Sequence, residues 1–257
     1  MNKIFILLFF LSINSFGQET LKLISETDLL ADEFLGVNVY GEYFYKEKQI
    51  LFKKSEQEIF SYQNNLYGKI NNVDLFNSLE SIVFYKDFNI VIQLDRWLGE
   101  INKIDLFQSS LFSNVLHVSL ASKNRLWVFN NDTQQLLVYN PQQNIIESTT
   151  RSIEGEIVDF YSNYNFCWIL TKNNLFKYNI YGTLLNSYEL PLYESFVFSK
   201  KGIFLLKKNQ LYMLKKGGNS IELLTLPKLS IQDFSVTNET LYIYNGKKVY
   251  AFKINEK

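Results

Sequence analysis

The residues best suited to bind an ion or to take part in a reaction are polar side chains that recur along the chain. They recur at intervals of roughly 40 residues, the length of one structural repeat. Each is followed directly by an apolar residue at the start of a short alternating run. Carboxylates in such a set can bind a hard cation such as calcium, and a histidine or carboxyl group can transfer protons. The predicted site residues are Glu33, Ser81, His117, Asp159, Ser195 and Asp233.

The same set also has a structural interpretation, because buried polar groups normally find hydrogen-bond partners in the main chain or in water. His117 is the only histidine, which excludes zinc sites built from several histidines. Cys167 is the only cysteine and lies beside Trp168 in an apolar run, so we expect an inert thiol in the core. These patterns predict no cofactor, no resident metal and no specific catalytic residue.

The elements that must position these side chains are short strands joined by polar turns. Residues 157–190 contain four strand-length runs separated by short polar turns, and residues 194–226 repeat the pattern. A repeat of this length built from four strands is typical of a β-propeller blade. The sequence therefore predicts an all-β, six-bladed propeller of four-stranded antiparallel blades. The first strand of every blade lines a central channel, so the polar residues would converge on one axis.

The second strands of the blades predict a column of large apolar residues that pack between neighbouring sheets. This column contains Phe44, Val91, Trp127, Trp168, Phe204 and Tyr242. The second blade is assigned to strands at residues 81–85, 89–95 and 100–106, with a poorly marked fourth strand near residues 107–112. It follows an unusually long link at residues 64–76.

Closure of the ring is predicted from a missing strand. The last blade shows three strands before the sequence ends, and a sheet without its outer strand would expose unpaired main-chain groups. Residues 21–24 alternate and belong to no other blade. They are therefore predicted to form the outermost strand of blade six, so that the two ends of the chain join.

The N-terminus has the form of a secretory signal peptide, with Lys3, a short apolar run and small residues up to Gly17. The run is about half the length that a membrane-spanning helix needs. We therefore divide the chain into a signal peptide, residues 1–17, and a single propeller domain, residues 18–257. We expect an exported protein, periplasmic or alternatively extracellular, that does not insert into a membrane after cleavage.

The charge balance limits the partners. Lys and Arg total 26, as do Asp and Glu, so the chain has no basic excess that would favour nucleic acid. We expect a protein partner and a chain that is monomeric in isolation.

The turn Asn179-Ile180-Tyr181-Gly182, followed by Leu185, resembles the Asp-x-x-Gly-x-x-Leu signature of six-bladed NHL-like propellers. In its export signal and its four-stranded repeats, the chain is similar to BamB-type periplasmic propellers, which assist outer-membrane protein assembly. This resemblance implies a binding module with an envelope or outer-membrane protein as its partner. A resemblance to six-bladed lactonases and related hydrolases would imply a calcium ion in the channel.

The sequence favours an exported binding or scaffold propeller that docks another cell-envelope protein, because no catalytic motif accompanies the export signal. The alternative is a propeller hydrolase or lyase with a site at the mouth of the channel. In that enzyme, Asp159, Asp233, Glu33 and His117 would act as metal ligands, with calcium as the candidate ion, or as acid and base groups.

Overall fold

The computed structural model describes residues 21–108, 111–217 and 220–254. These residues form six antiparallel sheets of four strands each, arranged as the blades of a β-propeller. The predicted fold class is therefore confirmed. The predicted signal peptide, residues 1–17, lies outside the described residues.

Each blade has four strands, A to D, which follow one another from the channel outward. Blade 6 contains the strands β22 (Asp233–Thr237), β23 (Thr240–Tyr244), β24 (Lys248–Ile254) and β1 (Leu21–Asp28). Blade 1 contains β2 (Glu33–Val37), β3 (Tyr43–Glu47), β4 (Ile50–Lys54) and β5 (Ile59–Tyr62). Blade 2 contains β6 (Asn72–Asp74), β7 (Glu80–Tyr85), β8 (Ile90–Asp95) and β9 (Glu100–Asp105).

The remaining three blades follow the same meander. Blade 3 contains β10 (Val115–Leu120), β11 (Leu126–Asn130), β12 (Gln135–Asn140) and β13 (Ile145–Thr149). Blade 4 contains β14 (Ile157–Ser162), β15 (Phe166–Thr171), β16 (Asn174–Asn179) and β17 (Leu184–Glu189). Blade 5 contains β18 (Ser195–Phe198), β19 (Gly202–Lys207), β20 (Gln210–Lys215) and β21 (Ile221–Leu223). Two single turns of 3-10 helix lie at Lys86–Phe88 and Ser122–Asn124.

The C–D hairpin of blade 4 shows why these sequences turn where they do. The Asn179 side-chain oxygen accepts hydrogen bonds from the main-chain N–H groups of Tyr181 and Thr183, both at 3.0 Å. Gly182 has a φ of +76°, and a Cβ atom there would lie 2.8 Å from the Thr149 carbonyl oxygen. The turn therefore needs an Asx side chain at its start and glycine three residues later.

The predicted closure is confirmed. The strand β1 pairs antiparallel with β24 from Leu21 opposite Ile254 to Asp28 opposite Lys248, with a bulge near Ile24. It is longer than the predicted strand at residues 21–24. Most side chains of β1 are exposed, so main-chain hydrogen bonds contribute much of the interaction that holds β1 to β24.

The apolar core lies between neighbouring blades, as sheet-on-sheet packing requires. Trp127 packs in a cluster shared by blades 3 and 4, and Trp168 packs in the next cluster, shared by blades 4 and 5. Both indole groups are almost fully buried. The Trp127 Nε1–H also donates to the Asn163 carbonyl at 2.9 Å, which links blade 3 to blade 4.

The strand assignment of blade 2 was wrong by one strand. Its innermost strand β6 lies inside the link at residues 64–76, so residues 81–85 belong to the second strand and Val91 to the third. The described residues near 107–112 form no strand. β6 has three residues with one apolar member, Val73, which is too short to produce a recognisable alternation.

Candidate functional site

The innermost strands β2, β10, β14, β18 and β22 carry five of the six predicted site residues in one register. His117 lies opposite Phe129, Asp159 opposite Leu170 and Asp233 opposite Tyr244 on the second strands. Glu33 and Ser195 lie opposite Lys46 and Leu206 in the same way. The structure therefore places these five side chains around the channel, and we call them, with Asn72 of blade 2, the channel ring.

Ser81 is not part of this ring, which corrects the prediction. It lies on β7, the second strand of blade 2, and is 5% exposed. The position equivalent to the other ring members is Asn72 on β6. The equivalence rests on its hydrogen bonds, because Asn72 contacts the residue after His117 in the same way as Asp159 contacts the residue after Ser195.

Ring members of the even-numbered blades hold the innermost strand of the next blade. Asp159 Oδ2 accepts the main-chain N–H of Phe196 at 2.9 Å, and Asp233 Oδ2 accepts that of Phe34 at 3.1 Å. The side-chain oxygen of Asn72 accepts the N–H of Val118 at 3.3 Å, and its amide donates to the Val118 carbonyl at 2.7 Å. Blades 2 and 3, 4 and 5, and 6 and 1 are thus joined at the channel by one repeated contact. We call these three contacts the ring clamps.

A second carboxyl group extends the clamp of blade 2. Asp74 Oδ2 accepts the main-chain N–H of Leu120 at 2.7 Å, and its Oδ1 accepts that of Phe76 at 3.0 Å. Sequence reasoning missed Asn72 and Asp74, although the polar-apolar-polar triplet Asn72-Val73-Asp74 has the same alternation as the other ring positions.

Ring members of the odd-numbered blades make different contacts. Glu33 forms an ion pair with Lys46 at 2.5 Å. The His117 ring stacks on Phe160 of the next blade with a centroid distance of 4.3 Å and an interplanar angle of 11°. Ser195 is half-buried.

Burial determines the charge state of the ring. It raises the pKa of Asp159 to about 7, against the opposing effect of the N–H bonds from Phe196 and Phe160. Burial also raises the pKa of Asp233 and of Asp74. It lowers the pKa of His117 to about 3, so the imidazole is neutral at physiological pH. The neutral His117 therefore needs no counter-ion, and Asp159 takes up a proton as pH falls through about 7.

Cation binding by the ring finds little support in this geometry. Among the residues that the structure describes, no group of three or more His, Cys, Asp or Glu side chains is arranged to hold a metal ion. Both carboxyl oxygens of Asp159, and Oδ2 of Asp233, already accept main-chain N–H groups.

A polar groove and a second, larger groove lie on the described surface, and neither has a ring member in its lining. A polar groove of about 450 Å³ lies between blades 2 and 3, where Asn102 and Asp105 face the loop around Gln142. A groove of about 690 Å³ lies beside blade 5, between Lys208 and the crossover to blade 6.

The innermost strands run in the same direction, since Asp233 contacts Phe34 near the strand starts and Thr237 contacts Val37 near the strand ends. All A–B hairpins therefore meet at one end of the channel. There, Phe76 of blade 2 and Tyr164 of blade 4 make an edge-to-face contact with ring centroids 5.0 Å apart.

Other apolar side chains at the same end are more exposed. Tyr40 is 65% exposed and Leu79 is 54% exposed. At the opposite end, the exposed apolar residues include Leu30, Leu66 and Leu192 on three separate crossovers, and Phe88 and Phe107 of blade 2. We call the apolar set on the A–B hairpins of blades 1, 2 and 4 the aromatic rim: Val39, Tyr40, Phe76, Leu79 and Tyr164.

No helix among the described residues has the length and apolar character needed to cross a membrane. This finding concerns helices alone.

Comparison with known proteins shows the fold. No family model matches the chain, and no curated protein matches it by sequence. Among solved structures, a virginiamycin B lyase from Staphylococcus aureus has a TM-score of 0.60 at 13% identity, covering 85% of this chain and 79% of that one. A streptogramin B lyase has a TM-score of 0.59 at 12% identity, covering 91% of this chain and 98% of that one.

A third similar structure is PorZ, a bacterial surface component of the type-IX secretion system of Porphyromonas gingivalis. It has a TM-score of 0.55 at 12% identity, and the match covers 90% of this chain and 38% of that one. At these identities the likeness concerns the propeller architecture, and the propeller-level resemblance seen in the sequence is confirmed.

Proposed function

We propose that this chain is an exported binding propeller that docks another cell-envelope protein through its aromatic rim. The carrying observation is the contact of Phe76 with Tyr164 beside the exposed side chains of Tyr40 and Leu79 at one end of the channel. Aromatic side chains are enriched at protein interfaces, because they bury a large area at a small cost in conformational entropy.

The chemistry of the channel ring supports a binding function over catalysis. The carboxyl groups of Asp159 and Asp233 are engaged in joining blades, which leaves fewer free acid and base groups for a reaction. Export is proposed from the signal peptide at residues 1–17. The proposal is supported by PorZ, a bacterial surface component of which this propeller matches 38% of the chain.

Affinity purification from the native envelope, followed by mass spectrometry, tests the docking surface. We expect wild-type protein to retain a defined envelope partner, and the triple variant Tyr40→Ser/Phe76→Ser/Leu79→Ser to lose it. The matched control replaces three exposed leucines at the opposite end: Leu30→Ser, Leu66→Ser and Leu192→Ser. Equal recovery of the partner by the rim variant and wild type would refute the assignment of the rim.

Export has its own test. N-terminal sequencing of the native product should begin at Gln18, and the protein should fractionate with the periplasm. Recovery of an intact Met1 end in the membrane pellet would contradict both cleavage and the soluble exported location.

A propeller lyase or hydrolase is the second candidate, because the only histidine, His117, lies in the channel and two of the similar solved structures are lyases. Under the docking proposal, incubation with a streptogramin B antibiotic leaves the antibiotic intact by mass spectrometry. Turnover that His117→Gln abolishes, while the folded protein keeps its melting temperature, would favour the enzyme.

A further inference from the structure

The groove beside blade 5 is created by an unusually short outer strand. The strand β21 covers three residues, Ile221–Leu223, whereas the outer strand of blade 4 covers Leu184–Glu189. After β21 the chain keeps one more main-chain hydrogen bond to β20, from Leu224 to Leu211, and then crosses to blade 6, which begins at Asp233. The space between this crossover and the hairpin that joins β19 to β20 has a volume of about 690 Å³, which lies within the range of ligand-binding clefts.

The crossover is held in place by one asparagine. The Asn209 amide donates to the Leu229 carbonyl at 3.0 Å, and its side-chain oxygen accepts the main-chain N–H of Ile231 at 2.6 Å. At the other end of the groove, the Leu224 N–H donates to the Leu211 carbonyl at 2.9 Å. Both walls are therefore tied to blade 5, and the groove is a formed feature of the fold.

The lining combines an apolar floor with a basic margin. Leu211, Leu224 and Ile231 are buried beneath the groove, while Leu223 is 47% exposed. The charged side chains of the lining are Lys208 and Lys228, and both are exposed. Glu194 is the acidic side chain that contacts this lining, through the main-chain N–H of Lys208. The groove thus favours an apolar ligand that carries negative charge.

We propose that this groove binds an extended acidic peptide segment, with an apolar side chain on the leucine floor and carboxylates beside Lys208 and Lys228. Gln210, Thr225 and Ser230 also line the groove and supply the amide and hydroxyl groups that a peptide main chain needs. A fatty acid chain has no donors or acceptors to pair with these groups, which favours a peptide over a lipid as the occupant. The site is separate from the aromatic rim and does not depend on the proposed docking function.

Fluorescence anisotropy with the full mature chain tests the proposal. The probe is a fluorescein-labelled heptapeptide of alternating glutamate and leucine, and the comparison peptide alternates lysine and leucine. We expect saturable binding of the glutamate peptide, at least tenfold tighter than that of the lysine peptide, with weakening as salt rises.

Charge reversal then locates the site. Lys208→Glu/Lys228→Glu should weaken binding of the glutamate peptide at least tenfold, whereas Lys69→Glu/Lys123→Glu, an equal charge change at exposed lysines of other blades, should leave it within about twofold. Leu226 lines the groove and is half-buried, so Leu226→Ser, which changes no charge, should also weaken binding. Equal affinity for both peptides, equal effects of the two lysine pairs, or no saturation up to about 1 mM would overturn the proposal.

Discussion

The ring clamp at Asp159 should make the stability of the protein depend on pH in a defined direction. Burial raises the pKa of this carboxyl from 3.8 to about 7 in the folded state. Between roughly pH 4 and pH 7 the folded protein therefore retains a proton that the unfolded chain has lost. Since the folded state binds more protons there, its free energy of unfolding falls as pH rises through this window.

The size of the effect follows from the shift. One pKa unit corresponds to about 1.4 kcal/mol, so a rise of about three units gives an upper limit near 4 kcal/mol. The Asp159 side chain is half-buried, so solvent screening reduces this limit and we expect about 1 to 2 kcal/mol. Asp159→Asn removes the titration. It also removes one of the two acceptors for the N–H groups of Phe160 and Phe196, at a cost of about 1 kcal/mol.

The variant should therefore be less stable than wild type near pH 5 and equally or more stable near pH 8.5. Urea unfolding followed by the fluorescence of the buried Trp127 and Trp168 measures both free energies across that range. The control is Glu154→Gln at an exposed carboxyl. A stability difference between Asp159→Asn and wild type that is independent of pH, or that changes in the opposite direction, would refute the reasoning.

Three further predictions concern the ring and its closure. Deletion of residues 21–28 should lower the free energy of unfolding by about 2 to 3 kcal/mol, less than a buried strand would, because Leu23 and Ile24 are 43% and 57% exposed. An unchanged melting temperature would contradict the closure model. Gly182→Ala should lower the free energy of unfolding by about 1 to 3 kcal/mol more than Gly41→Ala. Both glycines have a positive φ, but only at Gly182 would the added Cβ lie against a main-chain oxygen. Equal losses in chemical denaturation would show that the close approach is unimportant. Added calcium should leave the melting temperature of wild type unchanged. A rise of several degrees that is absent in the double variant with both clamp aspartates changed to Asn would instead support a metal site in the channel.

The blades themselves could be predicted from the sequence because their signals are local. In blades 3 to 6, the strands are short alternating or continuous apolar runs, and polar turn residues such as Asn179 and Gly182 separate them. Closure by the N-terminal strand followed from counting strands, since an unpaired sheet edge is unfavourable. The innermost strand of blade 2 was missed because the local signal is weakest there, in the three residues of β6.

The roles of the ring residues were decided by the tertiary structure. Asp159 and Ser195 occupy equivalent places in the sequence repeat, yet only Asp159 holds a neighbouring strand. Its acceptor contact is with Phe196, 37 residues away, and that of Asp233 is with Phe34, 199 residues away. The sequence determined the periodicity and the polar character of the ring, because both follow from strand alternation. Which side chain reaches the next blade depends on the distance between two neighbouring sheets. That distance is set by the closed ring of six blades.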